Sequence, residues 1–256
     1  MAALEVVQVR ALSDNYIYLL HDASNGATAV VDPAEAGPVL DELERRNWTL
    51  THILNTHHHD DHIGGNGELR AKYDIEHVGF SGDAHRIPNM HVQVKDGDTY
   101  DFAGHVAQVF ETPGHTSGHI AFWFEADGAL FCGDTLFALG CGRLFEGTAE
   151  EMWASLSKLK VLPPETQVYC AHEYTQSNAR FALSVDGTNA ELQARSDEID
   201  RARAADKPTV PSSLAIELAT NPFLRADDAT LAANVGLAGA DPIAVFTEVR
   251  TRKDNF

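Results

Sequence analysis

The chain has 256 residues, 44% hydrophobic and 22% charged, enough apolar material for one large domain or a main domain with an appendage. Its formal net charge of −19 argues against a non-specific grip on nucleic acid or on an anionic membrane, since either needs a basic surface. Three cysteines, Cys132, Cys141 and Cys170, are too sparse and odd a set for a disulfide framework, and no apolar run approaches a membrane span.

Residues 1–10 lack the basic start and apolar stretch of a leader, so a cytoplasmic protein is expected, and a monomer. Residues 4–12, 16–21 and 27–31 read as strands, the last two joined at Asn25-Gly26, a hairpin signal. An apolar stripe, Val39-Leu40-Leu43, predicts a helix over 37–47 with Pro38 in its first turn. A strand over 50–55 and a helix over 66–73 follow, then a strand over 75–80. Between 81 and 104 only a tight turn at Asp96-Gly97 is legible.

Strands are predicted over 105–111, 120–124, 129–132 and 167–170. Thr148-x-x-Glu151 is a capping box for a helix over 149–159. Beyond Tyr174 no strand is legible, and helices are predicted near 175–184, 189–204, 213–219, 227–236 and 242–251. The expected division is 1–172, mixed strands and helices, and 173–256, helical.

Between the fourth strand and its helix lies Thr56-His57-His58-His59-Asp60-Asp61-His62, followed by Ile63-Gly64-Gly65. The run is internal and broken by aspartates, unlike an affinity tag. In an extended stretch residues i, i+2 and i+4 face one side. That predicts His57, His59 and Asp61 on one face, His62 aimed elsewhere, and His58 turned away into packing or support. Imidazoles and a carboxylate converging in this way suit a borderline divalent metal such as zinc.

Three later positions repeat one pattern, in which a strand ends, a small residue follows, and a ligand-type residue appears. They are His115 after Thr112-Pro113-Gly114, Asp134 after Cys132-Gly133, and His172 after Cys170-Ala171. Sites in α/β architectures collect beyond strand ends. Seven candidate ligands divide into two sites with one carboxylate shared.

The pattern His57-x-His59-x-Asp61-His62 with His115, Asp134 and His172 resembles the metallo-β-lactamase superfamily. Within it the chain is similar to the glyoxalase II family, the hydroxyacylglutathione hydrolases. That likeness rests on Ser13-Asp14-Asn15-Tyr16, on the run from Gly140 through Cys141-Gly142-Arg143-Leu144-Phe145 to Thr148, on Ala171-His172-Glu173-Tyr174-Thr175, and on Arg250-x-x-Lys253-Asp254. The resemblance implies a four-layered αβ/βα metallo-β-lactamase sandwich with a C-terminal all-helical, substrate-binding domain. It implies one metal on His57, His59 and His115, a second on Asp61, His62 and His172, and Asp134 bridging. Zinc is the expected metal, with iron and manganese compatible. The glutathione part would be held by Arg143, Tyr174, Arg250 and Lys253. Phe145 stands where family members often have Tyr, and Arg143 where Lys is frequent.

The implied substrate is a small-molecule S-(2-hydroxyacyl)glutathione thioester such as S-D-lactoylglutathione, at the second step of methylglyoxal detoxification. A metal pair ~3.5–4 Å apart can generate and hold a hydroxide that attacks the thioester carbon. Asp61 would orient it besides ligating. The leaving thiol, with a pKa of about 8.5, departs without a strong acid. His119 is expected in support or packing. Cys132 and Cys170 read as small buried hydrophobes, and Cys141, between glycines, is the one thiol worth testing. Two alternatives stand beside the thioesterase: an iron-dependent glutathione persulfide dioxygenase using His57, His115 and Asp134, and metals that merely staple the fold. Structural zinc is normally Cys-rich, which speaks against the last.

Overall fold

A computed structural model describes residues 3–256; residues 1 and 2 of the stretch read for a leader lie outside it. The chain divides into two compact units, Met1–Glu111 with Gly118–Gly133, and Thr112–Ser117 with Asp134–Phe256.

The first unit opens with β1 (Glu5–Ala11), β2 (Asn15–Asp22) and β3 (Ala27–Val31), paired antiparallel. Then β4 (His52–Leu54), β5 (Glu76–Phe80) and β6 (Val92–Val94) continue the sheet in parallel. Parallel neighbours need a crossover. The crossover from β3 to β4 is α1 (Ala36–Arg46), and that from β4 to β5 carries α2 (Asp60–Ile63) and α3 (Asn66–Lys72). β2 is buried along its whole length, covered on both faces, which is why its sequence shows no alternation. Ile17, Leu19, Val30 and Ile53 of the sheet pack with Val39 and Leu43 of α1 and Leu69 of α3. Each such side chain contributes about 1.5–3 kcal/mol by leaving water. The unit also holds β7 (Thr99–Phe102), β8 (His105–Glu111), β9 (Ile120–Phe124) and β10 (Ala129–Gly133), antiparallel in that order.

In the second unit β11 (Leu136–Phe137) and β12 (Gly140–Cys141) form a small hairpin. The capping box at Thr148 and Glu151 opens α4 (Ala149–Leu159), with both reciprocal bonds present. β13 (Gln167–Cys170) pairs antiparallel with β14 (Ser212–Ser213). The helices are α5 (Thr175–Asp186), α6 (Ala190–Ala204), α7 (Leu214–Thr220), α8 (Ala229–Asn234) and α9 (Pro242–Asp254). Side chains of Asn189, Ser213, Asp228 and Asp241 accept the first free N–H groups of α6 to α9, so the sequence fixes where each begins. No helix among the described residues is long and apolar enough to cross a membrane.

Five short strands were not legible: β6 and β7 in the unclear stretch, β11 and β12, and β14 within the region read as helical. Two to four residues carry no usable period; pairing alone defines such strands. The three cysteines are buried and form no disulfide. Burial pushes the Cys141 thiol up to about 11 and that of Cys170 to about 12.

Candidate metal centre

In the first unit the ligand candidates sit beyond the C-terminal ends of the parallel strands β3 and β4. The backbone is extended only as far as His59; α2 begins at Asp60, so Asp61 and His62 are carried on a helical turn. This corrects the expectation that Asp61 follows His57 and His59 by strand alternation. A helical turn re-aims both residues, and His62 faces Asp61, Nε2 to Oδ2 3.6 Å, rather than pointing elsewhere. Asn15, buried at the start of β2, donates to the Asp61 carboxylate and to its carbonyl, both at 3.1 Å.

Asp32 is the support for this half. It ends β3 in the left-handed region, φ 48°, which a short polar side chain tolerates. Its Oδ1 accepts the Thr56 N–H at 2.8 Å, and its Oδ2 accepts the Thr56 hydroxyl at 2.6 Å and faces His62 Nδ1 at 3.1 Å. With its only hydroxyl proton on Asp32, Thr56 Oγ1 accepts from His57 Nδ1 at 3.1 Å. Both imidazoles thus carry their proton on Nδ1. His57 Nε2 then presents a lone pair toward His59 Nδ1, 3.2 Å away, and His62 Nε2 presents one toward the Asp61 carboxylate. Nε2 lone pairs of His57 and His62 gathered beside a ring nitrogen and a carboxylate form a donor set that suits a cation. Asp32, His57 and His62 also bring one ligand atom each within 4.8 Å of one another.

His58 turns to Asp83, Nδ1 to Oδ2 3.4 Å, and to Arg86, in keeping with a supporting place. His119 is buried and stacks on the His57 ring, centroids 4.6 Å apart. Gly133, at φ 47°, lets the chain pass these groups: a Cβ there would meet Thr56 Oγ1 at 2.3 Å.

In the second unit Asp134 lies between two histidines. Its Oδ2 is 3.3 Å from His115 Nε2, and its Oδ1 is 3.4 Å from His172 Nε2. His115 donates Nδ1–H to the Arg143 carbonyl at 2.9 Å, an oxygen that can only accept, so its Nε2 carries the lone pair. One carboxylate with each oxygen facing a separate imidazole suits two cations. Phe145 lies over His115 with centroids 5.2 Å apart and is 64% exposed. Tyr174 stacks on His172 at 4.7 Å and 2°.

The glutathione candidates gather in this unit too. Lys253 is half-buried, and burial with the nearby Arg250, Arg143 and Arg180 pushes its amine down to about 8. Arg250 is more deeply placed than Lys253. It is only 4% exposed, with its guanidinium donating to the Cys141 carbonyl at 3.1 Å and to Asp254 Oδ1 at 2.8 Å. It also lies over the Phe223 ring, 5.0 Å to the centroid. The apolar residues of α9 face the packed helices and carry Arg250 in with them.

The sequence reading missed Asp32 and gave Asn15 no role. Asp32-Pro33 at a strand end was the available signal for the first. Because Asp32 orients two imidazoles, Asp32→Ala is expected to weaken metal binding about 10- to 100-fold, the usual effect of losing a partner behind a ligand. Titration with a competing chelator measures it, and unchanged affinity would remove Asp32 from the site.

Residues 12–172 match the metallo-β-lactamase superfamily, and residues 173–256 match the C-terminus of hydroxyacylglutathione hydrolase. Proteins named hydroxyacylglutathione hydrolase from Methylococcus capsulatus and Rhodospirillum rubrum are 56% and 54% identical, over 99% and 100% of both chains. The chain belongs to the hydroxyacylglutathione hydrolase family. Among solved structures, ETHE1 from Myxococcus xanthus aligns with a TM-score of 0.67 at 26% identity, over 98% of each chain. The BLEG-1 B3 metallo-beta-lactamase aligns with a TM-score of 0.67 at 21% identity, over 86% of this chain and 99% of that one, a likeness of fold alone. The chain therefore has the metallo-β-lactamase fold with a helical C-terminal domain, as its motifs led us to expect. Fold and His/Asp clusters together mark a divalent metal site.

Proposed function

We propose that the chain hydrolyses S-(2-hydroxyacyl)glutathione thioesters, S-D-lactoylglutathione among them, to glutathione and a 2-hydroxy acid. The observation that carries this reading is a direct link within the second unit. Arg143 gives its carbonyl to His115, while its side-chain charge faces Lys253 beside Arg250. In a chain of −19, a local gathering of cations tied to ligand histidines suits an anionic tail attached to a reacting group.

In this reading His57, His59 and His115 hold one divalent cation, Asp61, His62 and His172 a second, and Asp134 both. Zinc fits the donors best, with iron and manganese compatible. When bound, such cations supply a water-derived nucleophile at neutral pH and polarise the carbonyl oxygen. The protein's part is orientation. Asn15 holds the Asp61 carboxylate, Asp32 and Thr56 fix the tautomers of His57 and His62, and the Arg143 carbonyl fixes that of His115. Phe145 and Tyr174 wall the histidines with rings. Residues 173–256 supply most of the tail contacts, through Tyr174 and Lys253 with Arg250 adding charge behind them, and Arg143 joins from before that boundary. The departing thiol has a pKa of about 8.5 and leaves as thiolate. The protein acts as a cytoplasmic monomer in this account.

Release of free thiol from S-D-lactoylglutathione, followed beside metal analysis, tests the reading. The rate should be the same with and without oxygen. Oxygen uptake on glutathione persulfide without thioester cleavage would put the dioxygenase in its place.

Lys253 adds a pH signature. Its amine is charged below about 8 and neutral above, facing Arg143, Arg180, Arg250 and Asp254. The charged form binds a carboxylate, so KM should rise as pH increases through about 8, while kcat at saturation changes little. Lys253→Arg should erase the step, because a guanidinium stays charged throughout. A parent KM that is flat from pH 7 to 9 counts against Lys253 as a tail contact.

A further inference from the structure

One cation of the basic cluster, Arg180, has no role in the account above. Tyr174, the N-cap of α5, and Ser177 and Arg180 within it are spaced by three, so each neighbours the next along the helix surface. All three are exposed. Lys253 Nζ lies 3.5 Å from both the carbonyl and the hydroxyl of Ser177, over the middle of this stripe, and it is held there above the Phe181 and Phe256 rings. Arg180 donates Nε–H weakly to its own helix, at 3.4 Å to the Gln176 carbonyl. Neither it nor Arg143 forms an ion pair among the described residues. With Asp254 engaged by Arg250, the charges of Arg143, Arg180 and Lys253 repel one another, and an anion bound among them relieves that repulsion.

The stripe has a direction. At one end Tyr174 stacks on His172. Six residues on, about 9 Å along the helix axis at ~1.5 Å per residue, stands Arg180. The reacting carbon hangs on the sulfur of glutathione's central cysteine, and from there the cysteine side chain and the extended γ-glutamyl arm reach roughly 10 Å to a terminal carboxylate.

We propose that Arg180 is a substrate-positioning residue that binds a terminal carboxylate of the glutathione tail, which lies along the Tyr174–Ser177–Arg180 face with Lys253 beside it. This rests on the thioesterase reading. Arg180 holds the tail end farthest from the reacting carbon, so it grips ground state and transition state alike.

The test compares two thioesters of one acyl group, that of glutathione and that of N-acetylcysteamine, which has no carboxylate. With the glutathione thioester, Arg180→Ala should raise KM about 10-fold with kcat and metal content unchanged, and Arg180→Lys should recover most of the loss. With the N-acetylcysteamine thioester, Arg180→Ala should match the parent. An unaltered KM for the glutathione thioester overturns the assignment, and so does an equal penalty on both thioesters. A parent enzyme with equal kcat/KM for the two would instead overturn the glutathione reading itself. A melting curve confirms that each variant is folded.

Discussion

Replacing Asp134 with Ala is expected to remove bound metal and activity together. The carboxylate faces His115 with one oxygen and His172 with the other, at 3.3 and 3.4 Å, and its side chain is 8% exposed. Losing a partner merely behind a ligand costs about 10- to 100-fold in affinity or activity, so a ligand shared by two cations should cost more than about 100-fold. Metal analysis of the purified variant should find fewer than two ions per chain, and thiol release should fall in parallel. Asp134→Asn separates charge from shape, since it keeps the volume but offers one neutral oxygen. If Asp134→Ala retained two ions and lost only turnover, Asp134 would be orienting the reaction without holding metal.

Arg250→Ala should be the largest stability lesion among the glutathione candidates. Its buried guanidinium satisfies the Cys141 carbonyl and lies over Phe223. A hydrogen bond from a charged donor is worth roughly 1.5–3 kcal/mol, and a cation over a ring about 0.5–2 more. A net loss of about 3 kcal/mol lowers the melting temperature by roughly 6–12 °C in a protein of this size. Lys253→Ala, at a half-exposed side chain, should change stability little and act on KM. The two residues are three apart in sequence and opposite in consequence. Equal melting temperatures for the two variants would show that the buried guanidinium holds nothing together.

Spacing alone made them look alike, and this marks where the sequence stops being legible. The ligand candidates stood out because His and Asp after strand ends are chemically conspicuous. The long helices were readable because Asn189, Asp228 and Asp241 announce their starts. What failed was direction. His62 was expected to point away because an extended chain was carried through Asp61, whereas a single helical turn from Asp60 redirects both. Arg250 and Lys253 were placed on one helix face by their spacing, whereas Val245, Phe246 and Val249 of the same helix are buried and draw Arg250 in. Asp32 went unnoticed because its task, fixing which nitrogen of two imidazoles carries the proton, depends on Thr56 lying beside it. Neighbouring parallel strands create that proximity, and no local pattern encodes it.

The buried cysteines give the protein a chemical character of its own. At pH 7 a thiol with a pKa of about 11, as at Cys141, is thiolate in only about one molecule in 10⁴, and Cys170 in fewer still. Thiolate is the form that electrophiles and oxidants attack, and these side chains offer them almost no surface: 0%, 5% and 1% for Cys132, Cys141 and Cys170. An enzyme whose product is itself a thiol thus presents no competing nucleophile to disulfides or alkylating agents in its surroundings. A maleimide or iodoacetamide label is therefore expected to report unfolding rather than inhibition.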